Sequence, residues 1–204
     1  MFIIAIAGGS GSGKSTVSYR LVDAYPNTFE VVNLDDYQKL KSDTDLPKVD
    51  GMINWDHPDI IRWENLMQDI ATLEKRMTVT IQSWAHRSNP NYFTHGKMRP
   101  RTLFPRKAFI IEGYLALWHN GLRKLYKRSY YLDLDYDTSV KRRKKFQDPV
   151  YESKILLPMH KKFVEPTRKY ADIVLDVSKM SEDEVYKKVE NDLKKILLIS
   201  SNKM

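Results

Sequence analysis

The chain has no cysteine among its 204 residues. This absence excludes disulfide bonds, a thiolate nucleophile and zinc sites with cysteine ligands, and it is typical of a reducing compartment. No apolar run approaches the roughly 20 residues that a transmembrane helix needs, and the apolar run at the N-terminus is too short for a signal peptide. We therefore expect a cytoplasmic protein that has no membrane partner.

Two kinds of metal site are also missing from the sequence. The five histidines show no H-E-x-x-H pairing, which argues against a zinc site of that type. Asp133, Asp135 and Asp137 alternate as in a calcium-binding loop, but Thr138 stands where that loop needs glycine and Lys144 where it needs glutamate. We interpret these aspartates as a strand end followed by a helix cap.

Acidic residues are outnumbered by basic ones, which gives the chain a formal net charge of +8. A basic protein can bind nucleic acid or a polyanionic small ligand. Nucleic acid is favoured by aromatic residues interleaved with basic ones, here Trp84, Tyr92 and Phe93 among Arg87, Lys97 and Arg99. Lysine and arginine are nevertheless spread along the whole chain, so we expect a small polyanion, and not nucleic acid, as the partner.

What the sequence does contain is a phosphate-binding loop. Gly8 to Ser15 matches the pattern G-x-x-x-x-G-K-[ST], between the apolar run Phe2 to Ala7 and a helix-like segment that stops near Pro26. A loop in this position directs backbone N–H groups at a phosphate, whereas a Gly/Ser-rich turn without a ligand needs neither neighbour. The predicted nucleotide-binding residues are Gly9, Ser10, Gly11, Ser12, Gly13, Lys14, Ser15 and Thr16.

This loop implies ATP and Mg²⁺ as cofactors. We expect Lys14 to reach the β- and γ-phosphates and to take part in catalysis, and the Ser15 hydroxyl to bind Mg²⁺. Acids follow two apolar runs: Asp35 and Asp36 after the run that begins at Phe29, and Glu112 after the run Ala108 to Ile111. Because ligands bind outside the carboxyl ends of parallel strands, these acids are predicted to face the loop, with Glu112 near the metal.

Alternating strands and helices predict an α/β protein with the P-loop NTPase fold, in which helices cover both faces of a parallel sheet. We expect one domain spanning residues 1–204 and a short basic lid around residues 141–152. The predicted strands are Phe2 to Ala7, Phe29 to Leu34, Ala108 to Ile111, Tyr130 to Leu134 and Ile173 to Val177. Beyond the helix after the phosphate loop, helices are predicted at Ile60 to Leu73, Leu115 to Tyr126, Ser139 to Phe146, Ser153 to Val164 and Ser181 to Leu198. The stretch Ala85 to Arg106 is predicted to be an irregular excursion.

With these motifs identified, the chain resembles the uridine kinase and phosphoribulokinase-like group of P-loop kinases, close to nicotinamide riboside kinases. The resemblance covers most of the chain and includes the phosphate loop, Asp35-Asp36-Tyr37, Asn54-Trp55-Asp56-His57-Pro58, Ile111-Glu112-Gly113, Tyr131-Leu132-Asp133 leading to Arg142-Arg143, Pro158-Met159-His160, and Phe163 to Ile173. It implies an ATP-dependent kinase that phosphorylates a hydroxyl of a nucleoside or another ribose-containing acceptor.

The resemblance also implies roles for individual residues. Asp35 would accept the proton of the attacking ribose hydroxyl, with Asp36 in support, and Asp56 would hold the ribose hydroxyls. His86 matches a histidine near the base pocket, and Arg143 matches an arginine of the lid or substrate site. Trp84 is expected to offer a stacking face. The predicted acceptor-binding residues are Asp36, Tyr37, Asp56, His57, Trp84, His86 and Arg143.

Two departures from uridine kinases bear on the acceptor. Where those enzymes carry Tyr-Asp-Phe before the histidine, this chain has Ile81-Gln82-Ser83, and the later lid arginines are replaced by the segment 144–151. The alternative acceptor is therefore nicotinamide riboside. A regulatory P-loop ATPase without a small acceptor is the alternative from another class, although no separate water-positioning motif is found.

Overall fold

The structure, a computed structural model, describes residues 1–84, 98–142 and 148–198. Its central sheet is built in the order β2-β7-β1-β8-β9, and every neighbouring pair is parallel. The strands are β1 (Phe2–Gly8), β2 (Phe29–Asn33), β7 (Ala108–Glu112), β8 (Tyr126–Asp133) and β9 (Ile173–Asp176). The prediction of a parallel α/β sheet of the P-loop NTPase type is confirmed.

The position of β1 in the centre of the sheet explains why its sequence is apolar at every position instead of alternating with polar residues. Ile3, Ala5 and Ala7 join the core on one face of the sheet, whereas Ile4 and Ile6 join the core on the other face. A central parallel strand that is covered by helices on both faces needs apolar side chains at every position. The phosphate loop therefore follows a strand that is buried at every position from Ile3 onward.

Helices lie on both faces of this sheet. They are α1 (Lys14–Ala24), α2 (Trp63–Glu74), the short α3 (Asn120–Arg123), α4 (Tyr136–Arg142), α5 (the helical segment 149–164, with π-helical turns at Glu152–Leu156 and His160–Val164) and α6 (Glu182–Leu197). Short 3₁₀ helices occur at Leu34–Tyr37, Pro58–Ile60 and Glu165–Tyr170. The predicted helix after position 153 thus begins four residues earlier than expected.

The starts of α1 and α6 differ sharply. Ser181 and Glu184 form a reciprocal capping box at the start of α6, and the first turn of that helix carries three acidic residues. Helix α1 begins after Gly13 with no side-chain hydrogen bond to its cap and no acidic residue in its first turn, among the described residues. The N-terminus of α1 therefore keeps backbone donors and a positive dipole end for an anion.

Two small antiparallel pairs lie outside the main sheet. Strand β3 (Lys48–Val49) pairs with β4 (Met52–Ile53), and β5 (Val79–Ser83) pairs with β6 (Arg99–Leu103). The predicted irregular excursion was wrong over β6, because alternate side chains of β5 are buried and its backbone needs a partner. Residues 85–97 of that excursion lie outside the described part of the chain.

The predicted helix Leu115 to Tyr126 was also wrong. Only α3 is helical there, and β8 already begins at Tyr126, four residues before the predicted strand. The guanidinium of Arg123 donates to the carbonyl oxygen of Leu117 at 3.0 Å, and the Tyr126 hydroxyl donates to that of Ala116 at 2.6 Å. Side chains therefore satisfy carbonyl groups that a continuous helix would have satisfied with its own backbone.

The remaining expectations on organisation are tested only in part. Asp133 ends β8, and Asp135 caps α4 by accepting from the Thr138 N–H at 2.8 Å, as predicted for these aspartates. Helix α4 begins at Tyr136, and residues 143–147 of the predicted lid lie outside the described residues. Across the described part of the chain, no helix is long and apolar enough to cross a membrane. The single domain, the lid and the cytoplasmic location stay predictions.

Candidate active site

The phosphate loop runs from the end of β1 into α1. Two of its glycines are required by geometry: Gly13 has φ of 89°, and Gly8 has φ of 142° with a hypothetical Cβ only 2.4 Å from the carbonyl oxygen of Leu132. The loop is contacted from α4, where the Ser139 hydroxyl donates to the carbonyl oxygen of Ser10 at 2.9 Å. The predicted nucleotide-binding residues therefore form one continuous turn: Gly9, Ser10, Gly11, Ser12, Gly13, Lys14, Ser15 and Thr16.

The charged end of this loop meets the end of β7. The ammonium group of Lys14 donates to the carbonyl oxygen of Gly9 at 2.8 Å, and the Ser15 hydroxyl donates to Oε1 of Glu112 at 3.0 Å. Glu112 is 2% exposed and pairs in register with Ile6 of β1 and Asn33 of β2. Adjacent strands therefore bring Glu112 to Lys14 and Ser15, which lie almost 100 positions earlier in the sequence.

Asp35 completes this group from the end of β2. Its backbone N–H donates to Oδ1 of Asn33 at 2.9 Å, which starts the 3₁₀ helix Leu34–Tyr37. Its carboxylate accepts from the side-chain amide of Gln38 at 3.1 Å. Burial, followed by the nearby charge of Glu112, raises the pKa of Asp35 to about 7, while Lys14 acts in the opposite direction.

The charges of the three side chains do not balance. Burial lowers the pKa of Lys14, and the neighbouring carboxylates of Glu112 and Asp35 oppose this shift. Burial also raises the pKa of Glu112, against the effects of Lys14 and the Ser15 hydroxyl. Two carboxylates face one ammonium group in a poorly solvated place, so the site favours an additional cation or a proton.

Asp36 is held by hydrogen bonds from the end of β5. The Ser83 hydroxyl donates to one of its carboxylate oxygens at 2.8 Å, and the Trp84 N–H donates to the other at 2.9 Å. Asp36 is only 6% exposed, and burial raises its pKa against these two hydrogen bonds. The two adjacent acids therefore have different surroundings: Asp35 lies next to the charges of Lys14 and Glu112, whereas Asp36 is buried and hydrogen-bonded to the end of β5.

Asp56 lies on the same side of the site as Asp35. Its charge is close enough to contribute to the raised pKa of Asp35, after burial and Glu112. Oδ2 of Asp56 accepts from the hydroxyl of Tyr151 at 2.7 Å, and that hydroxyl accepts from the N–H of Trp55 at 3.0 Å. Tyr114 donates to the carbonyl oxygen of Trp55 at 2.6 Å. Tyr114 and Tyr151, from two distant segments, thus hold the turn that carries a second carboxylate near that of Asp35.

Comparison with known proteins decides the family. A model of the Phosphoribulokinase / Uridine kinase family matches residues 3–184 of this chain. The chain belongs to this family. The predicted resemblance is thereby confirmed, and the chain is an ATP-dependent kinase, a phosphotransferase whose acceptor group is a hydroxyl.

Individual relatives agree with this assignment. A uridine kinase of Chlamydia pneumoniae is 32% identical over 186 residues, which cover 86% of this kinase and 81% of that protein. A uridine kinase of Macrococcus caseolyticus is 30% identical over 184 residues, which cover 85% of this chain and 86% of that protein. Among solved structures, a possible uridine kinase from Bacillus stearothermophilus has a TM-score of 0.60 at 18% identity, covering 86% of this chain and 88% of that one, which shows a shared fold.

Two predicted acceptor residues of the kinase have their hydrogen-bond partners away from Asp35, Asp56 and Glu112. The hydroxyl of Tyr37 donates to Asp69 of α2 at 2.8 Å, and its ring is buried in the core. Nδ1 of His57 accepts from the N–H of Asp59 at 3.2 Å, and its ring packs edge-on against Phe163 at 5.1 Å. A direct contact of either side chain with an acceptor stays a prediction.

Three other predicted residues lie next to or within the two undescribed segments 85–97 and 143–147. Trp84 lies at the end of β5 and contacts Asp36 through its backbone, while His86 and Arg143 lie outside the described residues. Their predicted roles in base and phosphate binding stay predictions. The same applies to residues 143–147 of the predicted lid.

Sequence reasoning missed several residues that the structure places at this site. Tyr151, Tyr114 and Gln38 contact the carboxylates or their loops, and the ring of His160 lies 3.0 Å from a hypothetical Cβ at Gly9. Asp148 followed by Pro149 is a helix-start signal that would have placed Tyr151 in the first turn of α5. No local pattern indicates that this turn reaches a loop almost 100 residues earlier.

Proposed function

We propose that this kinase transfers the γ-phosphoryl group of ATP to a ribose hydroxyl of a nucleoside. The observation that carries the proposal is the position of Asp35 and Asp56 beside Lys14 of the phosphate loop, in one electrostatically coupled group. A hydroxyl acceptor needs a group that orients it and takes its proton, and a second group that binds the rest of the sugar. The names of the relatives support a nucleoside as the acceptor.

The roles of the residues follow from their contacts. The acceptor oxygen forms a bond to the γ-phosphorus while the bond from that phosphorus to the leaving ADP oxygen breaks, and the acceptor proton passes to the carboxylate of Asp35. Lys14 offsets the negative charge on the phosphates, which grows on the leaving oxygen. Asp36 is held by Ser83 and Trp84, so we assign it to the support of Asp35 and of the base pocket.

Magnesium fits the side chains at the end of this loop. Ser15 and Glu112 present a hydroxyl and a carboxylate 3.0 Å apart, which are ligands that Mg²⁺ accepts, and the excess of carboxylates favours a cation there. Within the described residues, no cluster of three or more acidic or histidine side chains forms a metal site without phosphates. A bound Mg²⁺ would supply charge neutralisation at the transferring phosphoryl group.

The base pocket favours an acceptor other than a pyrimidine nucleoside. Ile81 and Ser83, at the positions where the resemblance to uridine kinases implies aromatic rings, are both buried, and Ser83 is bound to Asp36. Neither can offer the stacking face of tyrosine. The side chain of Trp84 is the aromatic ring nearest to these positions in sequence, and a cation–π contact with a charged nicotinamide ring would contribute roughly 0.5–2 kcal/mol. Nicotinamide riboside is therefore the first acceptor to test.

The decisive experiment measures ADP formation with uridine, cytidine, nicotinamide riboside and pantothenate, and identifies the phosphorylated product. We expect product with at least one nucleoside and little with uridine or cytidine. Efficient phosphorylation of uridine that survives Trp84→Ala would disprove the base-pocket argument while leaving the kinase assignment intact. ATP turnover that is equal with and without every acceptor would instead favour the regulatory ATPase.

A further inference from the structure

Tyr151 joins the start of helix α5 to the acceptor side of the site. Its hydroxyl donates to Oδ2 of Asp56 at 2.7 Å and accepts from the N–H of Trp55 at 3.0 Å. One hydroxyl therefore serves both as donor and as acceptor, across 95 residues of sequence. Tyr114 fixes the same turn from another direction by donating to the carbonyl oxygen of Trp55 at 2.6 Å.

The backbone of α5 holds Tyr151 in this place. Asp148 caps the first turn by accepting from the N–H groups of Val150 and Tyr151 at 3.0 and 3.1 Å, and Pro149 occupies the first position. One turn later, Lys154 forms an ion pair with Asp50 of the β3–β4 hairpin at 2.7 Å. Helix α5 is thus attached to the segment 50–56 through Lys154 and through Tyr151, whose hydroxyl reaches Asp56 directly.

The hydrogen-bond direction at Tyr151 is fixed by its surroundings. Burial and the neighbouring carboxylate of Asp56 raise the pKa of Tyr151 far above the ordinary value for tyrosine. The hydroxyl therefore keeps its proton at neutral pH and donates it toward Asp56. A hydrogen bond to a charged carboxylate is stronger than one between neutral groups, and it restricts the rotation of the aspartate side chain.

We propose that Tyr151 is a positioning residue that sets the orientation of the Asp56 carboxylate and thereby the affinity for the acceptor. This inference rests on the proposed function, in which Asp56 binds the ribose hydroxyls. It predicts that the hydroxyl, and not the ring, carries the effect. It also predicts that the effect is confined to acceptor binding, since ATP is bound by the phosphate loop.

The test replaces the hydroxyl alone with Tyr151→Phe. With whichever of uridine, cytidine and nicotinamide riboside the wild-type enzyme phosphorylates, we expect KM for that acceptor to rise about tenfold, while kcat and KM for ATP stay within twofold. Tyr25→Phe is a matched control, because its hydroxyl also donates to a carboxylate, that of Glu190 at 2.6 Å, on the opposite side of the sheet. Lys154→Ala tests the neighbouring attachment. Both controls should leave acceptor KM unchanged.

A double-mutant cycle with Asp56→Asn separates positioning from general structure. If Tyr151 acts through Asp56, Tyr151→Phe adds little to the loss of acceptor affinity in Asp56→Asn, and the shifts in the urea unfolding midpoint of the ligand-free protein are not additive. Additive effects in either measurement, or an unchanged acceptor KM in Tyr151→Phe, would overturn the proposal. If the unfolding shifts are not additive but no nucleoside is phosphorylated, the Tyr151–Asp56 contact is supported and the proposed function is rejected. Failure of the proposed function can therefore be distinguished from failure of the Tyr151 proposal.

Discussion

The phosphate end and the acceptor end of this active site are built in different ways. At the phosphate end, Lys14 and Ser15 come after β1 and Glu112 ends β7, and these two strands are adjacent in the main sheet and almost entirely buried. At the acceptor end, Asp36, Asp56 and their partners come from short strands, 3₁₀ turns and the start of α5, connected by side-chain hydrogen bonds. The comparison indicates that phosphate chemistry is tied to the core of the fold, whereas acceptor choice depends on peripheral contacts that can change separately.

The largest effect is expected at the phosphate end. Lys14→Ala removes the ammonium group that offsets charge on the phosphates, and we expect kcat to fall by about 10⁴-fold or more. The melting temperature should change little, because burial of this ammonium group already opposes its charge. Steady-state kinetics and thermal unfolding check both expectations, with Lys39→Ala, which loses an ion pair to Asp45, as the control. Undiminished turnover in Lys14→Ala would contradict the assignment of this loop.

A somewhat smaller effect is expected where the two ends meet. Asp35→Asn removes the proton acceptor, so kcat should fall by about 10²–10⁴-fold while ATP affinity is nearly unchanged. In the wild type, kcat/KM should decline as the pH falls below about 7, because the carboxylate of Asp35 is then protonated.

Asp36→Asn sharpens this distinction between the adjacent acids. It disturbs the hydrogen bonds from Ser83 and Trp84, so we expect a larger loss of stability and a smaller loss of kcat than in Asp35→Asn. If Asp36→Asn proves to be the more damaging change in kcat at equal stability, the roles of the two acids are reversed.

At the acceptor end the change should appear in affinity and in discrimination. Asp56→Asn is expected to lower kcat/KM for the ribonucleoside by about 100-fold, because an amide cannot accept two hydrogen bonds from a vicinal diol as a carboxylate does. The wild type should strongly prefer the ribonucleoside over its 2′-deoxy form, and the variant should lose most of this preference. Equal wild-type efficiency on both forms would remove Asp56 from the acceptor site.

The smallest effect concerns stability without ligands. The pKa of Asp35 is raised to about 7 in the folded protein, so between about pH 4 and pH 7 the folded state holds a proton that the unfolded state has lost. The contribution of Asp35 to stability is therefore greatest at low pH and declines as the pH rises through 7. Relative to Asp35→Asn, the wild type should lose unfolding free energy as the pH rises across this window, as measured by urea unfolding.

The same contrast explains what the sequence predicts well. The apolar runs before Gly8, Asp35 and Glu112 are local signals, and the parallel topology then brings their ends together without further information. The acceptor end depends on side-chain contacts between distant segments, such as Tyr151 with Asp56 or Ser83 with Asp36, which no local pattern encodes. The apolar residues after Glu112 resembled a helix for a similar reason, since the contribution of Arg123 to that loop is visible only in three dimensions.

The helix start at Gly13 makes the stability of the folded protein depend on the supply of its nucleotide. Helix α1 exposes backbone donors that find no side-chain acceptor among the described residues, so a bound nucleotide takes the place that Ser181 and Glu184 fill in α6. A ligand that binds only the folded state stabilises it by about 2.7 kcal/mol at a hundredfold excess over Kd. Withdrawal of nucleotide should therefore lower the stability of the folded enzyme as well as its turnover.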